Sequence, residues 1–131
     1  MRNTETKEAR KKRLANLQYQ RRYSFTTIWT RRYADMKART DGQRSKRSAS
    51  SGKECLSKED FIEWCKSQPH FTIFLVIYMD WVRSDFNPML CPSVDRVDNE
   101  RGYTVDNMQW VTFVENMEKH DKPMEGIWGN I

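Results

Sequence analysis

The most constraining feature of this chain is a strand–turn–strand–helix pattern within residues 91–120. A β-prone stretch, Ser93 to Val97, precedes a turn sequence, Asn99 to Gly102, and a second apolar stretch runs from Met108 to Val111. The sequence that follows, Thr112-Phe113-Val114-Glu115, forms a capping box, the pattern that begins a helix. The order predicts a β-hairpin followed directly by a helix.

Charge divides the 131 residues into two unlike halves. Residues 1–53 hold 16 of the 23 Lys and Arg but 4 of the 18 Asp and Glu, and residues 54–131 are net acidic. A basic half suits binding to a polyanion such as DNA, because each Lys or Arg that meets a phosphate releases condensed counterions. The alternative is a solvated basic segment that only raises solubility. The length fits one small domain with an arm.

The basic half divides into an arm, a helix and a linker. Residues 1–22 lack the apolar stripe that docks a helix, so we expect a mobile or DNA-ordered arm. Within residues 23–53, apolar side chains at three- and four-residue spacing predict a helix over 24–39, and 43–53 reads as a flexible Ser-, Gly- and Lys/Arg-rich linker. The residues expected to contact DNA are all basic: Arg10, Lys11, Lys12, Arg13, Arg21, Arg22, Arg31, Arg32, Arg44, Lys46 and Arg47.

Residues 54–131 are predicted to form a helical region followed by the hairpin–helix unit, over about residues 88–122. Ser57 and Asp60 form a capping box for a helix that ends near Ser67. Residues 71–84 fit a strand by composition and a helix by spacing, and we favour the helix. The expected fold class is α+β, with a helical basic N-terminal region before a small ββα unit.

Cysteine usage and hydropathy limit the compartment. The three cysteines are odd in number and form no CxxC pair, so neither a disulfide framework nor a zinc knuckle is indicated. The longest apolar-rich run, Phe71 to Met79, is far shorter than the roughly 20 residues that span a bilayer. We expect a cytoplasmic protein with no membrane partner and no small-molecule cofactor. The oligomeric state stays open.

Asp95 and Asn116 carry the chemistry that a divalent cation needs. Asp95 ends the first predicted strand and Asn116 lies near the start of the helix, so two oxygens are available from facing elements. Mg²⁺ takes one or two such protein oxygens and keeps its other positions for water and phosphate. Asn107, before the second strand, has an amide suited to bonding the hairpin backbone. Each residue alone is more often merely structural or solvated, and their joint spacing favours a site.

The order and spacing of these residues resemble the ββα-metal core of HNH-type endonucleases, in the form common in small phage-encoded homing-endonuclease-like proteins. The phrases PSVDRVDN, GYTVDN and QWVTFVEN carry the resemblance, which is firm over about residues 88–119. It implies that Asp95 and Asn116 bind Mg²⁺ or Mn²⁺, that Asn107 is structural, and that double-stranded DNA is the substrate. The position of the family's general-base histidine matches Arg96.

Arg96 leaves the identity of the base open, because arginine stays protonated and cannot accept a proton. Asp98, two residues further along, is one candidate base. His120, one helical turn after Asn116, is another. In the third alternative, Arg96 clamps the scissile phosphate and cleavage is slow.

The expected function is divalent-metal-dependent hydrolysis of DNA by a phage-encoded endonuclease in the host cytoplasm. One alternative is a DNA-binding protein that keeps the fold without catalysis. Another is a phage protein that binds a host protein through its acidic half.

Overall fold

The computed structural model describes residues 5–42 and 50–121, with side chains described up to residue 118. This part of the chain forms a mixed α+β structure, which confirms the predicted class and the helical N-terminal region. In chain order the elements are α1 (Lys7–Arg22), α2 (Ile28–Thr40), α3 (Lys58–Lys66), α4 (His70–Arg83), a 3-10 turn (Pro88–Leu90), β1 (Pro92–Arg96), β2 (Met108–Thr112) and α5 (Phe113–Asp121).

Helix α1 differs from the mobile arm expected for residues 1–22. The Thr6 side chain caps its first turn. None of its side chains is buried, yet Tyr19 packs against the core and Asn16 donates a hydrogen bond to the Asp85 carbonyl oxygen at 3.1 Å. The helix therefore lies on the body through polar and aromatic contacts, which do not require the apolar stripe that the sequence lacks.

Helix α2 begins later than predicted. The Ser24 and Thr27 hydroxyls are 2.8 Å apart, and the Ile28 amide donates to the Ser24 carbonyl, so residues 24–27 form a turn. Ile28 and Met36 are buried as the spacing indicates. Phe25 lies in this turn rather than in the helix predicted over 24–39, and it is 54% exposed.

Arg32, expected to contact DNA, is instead 3% exposed. Its Nε donates a hydrogen bond to the Pro92 carbonyl at 2.7 Å, and its Nη2 donates one to Cys91 Sγ at 3.2 Å. Its Nη1 donates to Asp35 Oδ2 at 3.2 Å, and its guanidinium carbon lies 4.0 Å from the centre of the Tyr23 ring. A cation that is buried and paired in this way joins α2 to the start of β1. It does not lie on a surface that a phosphate can reach, which corrects the expectation.

Helices α3 and α4 follow the local signals in the sequence. Ser57 accepts a hydrogen bond from the Asp60 amide at 3.2 Å, as the capping box predicts. The ambiguous residues 71–84 are helical. None of the helices in the described ranges combines the length and apolar character that a membrane crossing needs.

The turn after α4 has a helix-ending geometry that fixes the position of Phe86. Asp85 adopts a left-handed φ of 61°, and its amide donates to the Val82 carbonyl at 3.0 Å. The Phe86 amide donates to the Trp81 carbonyl at 3.0 Å, and the two rings are perpendicular at 5.0 Å. This pair of bonds with an apolar contact is the Schellman arrangement, here with Asp at the position that usually holds Gly.

An aromatic cluster joins α3, α4 and the sheet. Trp110 of β2 has its ring centre 4.8 Å from that of Phe74 and 5.9 Å from that of Trp64. Phe61 stacks on Trp64 at 5.9 Å. These large rings supply much of the apolar burial that a small domain needs.

Strands β1 and β2 are antiparallel, with bounds within one residue of those predicted. Val94 pairs with Trp110, and Asp95 pairs with Gln109. Because successive side chains of a strand point to opposite faces, Val94 and Trp110 share the face toward α4, and Asp95 and Gln109 share the other.

Helix α5 starts at the predicted capping box. The Thr112 amide donates to Glu115 Oε1 at 3.0 Å, and the Glu115 amide donates to Thr112 Oγ1 at 3.2 Å. The Phe113 amide also donates to the Cys91 carbonyl at 2.8 Å. The helix is therefore attached to the beginning of β1 as well as to the end of β2.

Replacing Arg32 by Ala should lower the free energy of unfolding by about 3–5 kcal/mol, because the buried Asp35 carboxylate loses its buried cation and keeps the more distant and exposed Arg22. Chemical denaturation measures this change. The exposed neighbour Arg31 provides the matched control, and Arg31→Ala should change stability by about 0.5 kcal/mol or less. Equal effects of the two substitutions would contradict the burial of Arg32.

Candidate functional site

Asn116 is held under α5 by hydrogen bonds to β1. Its Nδ2 donates to Ser93 Oγ at 2.9 Å and to the Val94 carbonyl at 3.2 Å, and the residue is 5% exposed. The bond to the Val94 carbonyl identifies the nitrogen end of the amide, because a carbonyl oxygen can only accept. The Oδ1 atom is buried and has no hydrogen-bond partner among the described residues. The amide therefore presents an oxygen whose acceptor capacity the described contacts leave unused.

Asp95 lies on the same face of the sheet as this amide. Ser93 and Asp95 are two residues apart on β1, so their side chains project to one side, and Asn116 reaches that side through Ser93. Asp95 is 2% exposed, and its Oδ2 accepts a hydrogen bond from Gln109 Nε2 at 2.9 Å. The hairpin and α5 thus bring the two expected metal-binding residues to one side of the sheet.

Arg96 points to the other face. It pairs with Met108 on the side of the sheet that faces the core, and it is 1% exposed. Its Nη1 donates to the carbonyls of Asn99 and Arg101 at 2.7 and 2.8 Å, and its guanidinium carbon lies 5.7 Å from the Tyr103 ring centre. The expected phosphate clamp does not fit this position. Arg96 instead holds the loop that joins the strands.

Asn107 braces the same loop. Its Oδ1 accepts from the Asp98 amide at 2.8 Å, and its Nδ2 donates to the carbonyls of Asp98 and Gly102 at 3.1 and 2.8 Å. Its own carbonyl accepts from the Val97 amide at 2.9 Å. The side chain satisfies backbone groups at both ends of the loop, which is the role that its amide chemistry suggested.

The loop is also attached to the segment before α3. The Tyr103 amide donates to the Glu54 carbonyl at 2.8 Å, and the Leu56 amide donates to the Tyr103 carbonyl at 3.0 Å. A Cβ at Gly102 would lie 2.1 Å from the Glu54 carbonyl oxygen. Glycine is required at this position because two backbone segments approach each other closely there.

Asp98, a candidate base, is exposed and lies in the loop. Its Oδ1 accepts from the Glu100 amide at 2.9 Å, which forms a local turn. Nearby, the Thr104 hydroxyl and the Arg101 guanidinium lower the pKa of Asp106. The backbone of His120, the other candidate base, lies in α5, and its side chain lies outside the described residues.

The basic residues expected to contact DNA separate into three groups. Arg32 is buried, and Arg44, Lys46 and Arg47 lie outside the described residues. Three exposed members have acidic partners: Arg10 Nε and Arg13 Nε lie 3.6 and 2.9 Å from Glu5, and Arg22 Nη2 lies 3.7 Å from Asp35. The exposed members are Arg10, Lys11, Lys12, Arg13, Arg21, Arg22 and Arg31.

Sequence reasoning missed Ser93 and Gln109, which contact the candidate ligands directly. Strand alternation could have identified both residues. Ser93 lies two residues before Asp95 and so shares its face, and Gln109 shares that face because it pairs directly with Asp95. Acidic clustering gives no further signal, since no group of three His, Cys, Asp or Glu residues suited to a metal occurs in the described part of the chain.

The comparisons with known proteins assign no family to this arrangement. No protein-family model, curated protein or solved structure matches the chain.

Replacing Asn107 by Ala should lower the free energy of unfolding by about 2–4 kcal/mol, because buried backbone groups of the loop lose their partners. Thermal or urea unfolding measures the loss. Val105→Ala, two residues away at a side chain that is 58% exposed, should have little effect. A similar loss in both variants would argue against the brace.

Proposed function

We propose that this chain is a divalent-metal-dependent DNA endonuclease of the HNH type, which hydrolyses phosphodiester bonds in double-stranded DNA. The observation that carries the proposal is the Asn116 Oδ1 atom. It is a buried oxygen with no hydrogen-bond partner among the described residues, and it belongs to a side chain that reaches the face of the sheet that carries Asp95. A carboxylate and an amide oxygen from facing elements fit the preference of Mg²⁺ or Mn²⁺ for hard oxygen ligands.

Asp95 and Asn116 are the residues that would hold the cation. When bound, such an ion polarises the phosphoryl group and stabilises the departing 3′ oxygen. The protein contributes orientation: Ser93 and the Val94 carbonyl fix the Asn116 amide, and Gln109 positions the Asp95 carboxylate. These neighbours act on the ligands as supporting hydrogen bonds do at metal sites generally.

Asp98 and His120 remain the two candidates for accepting a proton from the attacking water. Asp98 is exposed to solvent and so open to a bound DNA strand. His120 belongs to the helix that carries Asn116 and follows it by one turn. Either group supplies the proton acceptor that arginine at position 96 cannot supply.

The exposed cations of α1 and α2 supply the DNA contact in this proposal. Arg21 and Arg31 are exposed, and they belong to a half of the chain with a large excess of positive charge. Affinity that comes from such contacts falls steeply as salt rises, since each phosphate contact releases counterions. A phage-encoded enzyme of this kind would act in the host cytoplasm.

A DNA-binding protein without catalysis is the second candidate. Asp95 and Asn116 are both almost fully buried, and Asp95 is already engaged by Gln109. Arg96 replaces a catalytic side chain with one that braces a loop. Salt-dependent DNA binding without metal-dependent cleavage would favour this candidate.

Asp95→Ala and Asn116→Ala should each lower cleavage of supercoiled plasmid in Mg²⁺ or Mn²⁺ by about 100-fold or more, because charge stabilisation worth several kcal/mol is lost. Gel analysis of nicked and linear products measures the rates. Asp80→Ala removes an exposed acid on α4 and should cut at the wild-type rate. If the two site variants also cut at that rate, the assignment of the ligands is wrong.

Arg96→His should destabilise the protein without raising cleavage. The imidazole is too short to reach the Asn99 and Arg101 carbonyls. Loss of these two hydrogen bonds should lower the free energy of unfolding by about 2 kcal/mol or more. Thermal unfolding and the plasmid assay give the two measurements. Arg101→His, at an exposed arginine of the same loop, is the control and should leave the melting temperature nearly unchanged. Faster cleavage by Arg96→His would mean that position 96 faces the reaction after all.

A further inference from the structure

Helix α1 meets the body of the protein with a polar side and leaves a groove between them. Two adjoining cavities of about 390 and 300 Å³ lie along this contact, and both are lined by Leu17, Gln20 and Phe86. A docked helix usually fills such a space with apolar side chains. Here no side chain among the described residues fills the space, and we name it the α1 groove.

Aromatic rings form the floor of the α1 groove. Tyr78 and Phe86 line the larger cavity, and both are half-buried. The Phe86 ring is held perpendicular to Trp81 at 5.0 Å, and the hydrogen bonds of the turn fix its backbone. Partly exposed aromatic rings in the lining of a groove offer apolar surface on which a flat ligand can stack.

Amides and cations line the wall that α1 provides. Arg13, Asn16, Gln20 and Arg21 recur at helical spacing and so share one side of the helix. Asn16 Oδ1 is a buried acceptor without a hydrogen-bond partner among the described residues. Arg21 is exposed at one end, and Arg13, paired with Glu5, lies toward the other. The wall thus offers hydrogen-bonding groups for a polar edge and positive charge for an anion.

We propose that the α1 groove binds one unpaired nucleobase of a DNA strand. The base would stack on Phe86 and Tyr78, the amides of Asn16 and Gln20 would bond its edge, and Arg21 would meet the adjoining phosphate. A base inside a duplex has its faces stacked and its pairing edge occupied, so only a base outside the stack presents both. The inference rests on the proposed function for the identity of the polymer, and it adds a site outside the hairpin.

The test compares binding to two duplexes with EDTA present, so that no cleavage occurs. One duplex carries a single-nucleotide bulge, and the other carries an abasic nucleotide at the same bulge, so the two differ by the base alone. Fluorescence anisotropy gives the affinity ratio. We expect the wild-type chain to bind the base-containing bulge about tenfold more tightly, as stacking of one base would give.

Gln20→Ala and Phe86→Leu should bring this ratio toward one, with thermal unfolding used to check that Phe86→Leu is folded. Lys11 is the matched control, since it is exposed on α1 about 200° around the helix from Arg13. Lys11→Ala should weaken binding to both duplexes equally and leave the ratio unchanged.

A wild-type ratio of one, with tight and salt-dependent binding to both duplexes, overturns the groove and leaves the proposed DNA binding intact. A ratio that Gln20→Ala does not change also overturns it. Absence of binding to either duplex removes the groove and the proposed function together.

Discussion

The buried guanidinium of Arg32 is the contact on which the rest of the structure depends. From its position on α2, this group donates hydrogen bonds to the Pro92 carbonyl and to Cys91 Sγ. The Phe113 amide at the start of α5 donates to the Cys91 carbonyl. The two residues that lead into β1 are thereby fixed from both sides. Burial also raises the pKa of the Cys91 thiol to about 11, so the thiol stays neutral beside the cation. The basic half of the chain is joined to the hairpin by an interaction that is costly to break, because its acidic partner is buried as well.

The alternation of the strands places the core-packing side chains and the candidate metal ligands on opposite faces of the hairpin. Val94 and Trp110 point toward the aromatic cluster, whereas Asp95 and Gln109 point the other way. Adjacent residues in the sequence therefore serve different purposes. Arg96 follows Asp95 directly, yet it braces the connecting loop from the opposite face. Because Arg96 cannot accept a proton, an HNH-type site in this protein would need another proton acceptor. The candidates are Asp98 in the connecting loop and His120 in α5.

The basic half has more structure than its charge implies. Helix α1 contacts the body through amides, arginines and a few aromatic side chains, and two cavities lined by described residues lie along that contact. A helix docked by polar groups gains little from burial of apolar area, so its position depends on hydrogen bonds such as that of Asn16 to Asp85. A nucleic-acid ligand that filled the groove would add contacts that the described residues do not provide.

Local signals in the sequence were sufficient for α3, the hairpin and α5, but not for α1, which lacks an apolar stripe, or for the start of α2. Capping boxes at Ser57 and Thr112 placed two helix starts, and a β-prone stretch, a turn sequence and an apolar stretch placed the hairpin. Each of these patterns depends on residues that are close in sequence. The roles of charged residues depended on tertiary contacts instead. Arg32 lies one helical turn from both Ile28 and Met36, so it shares their buried side of α2. Its burial is possible because Asp35 and the distant Pro92 carbonyl accept its hydrogen bonds. Composition specifies that an arginine is charged, but only the packed neighbours decide whether that charge faces solvent or a buried carboxylate.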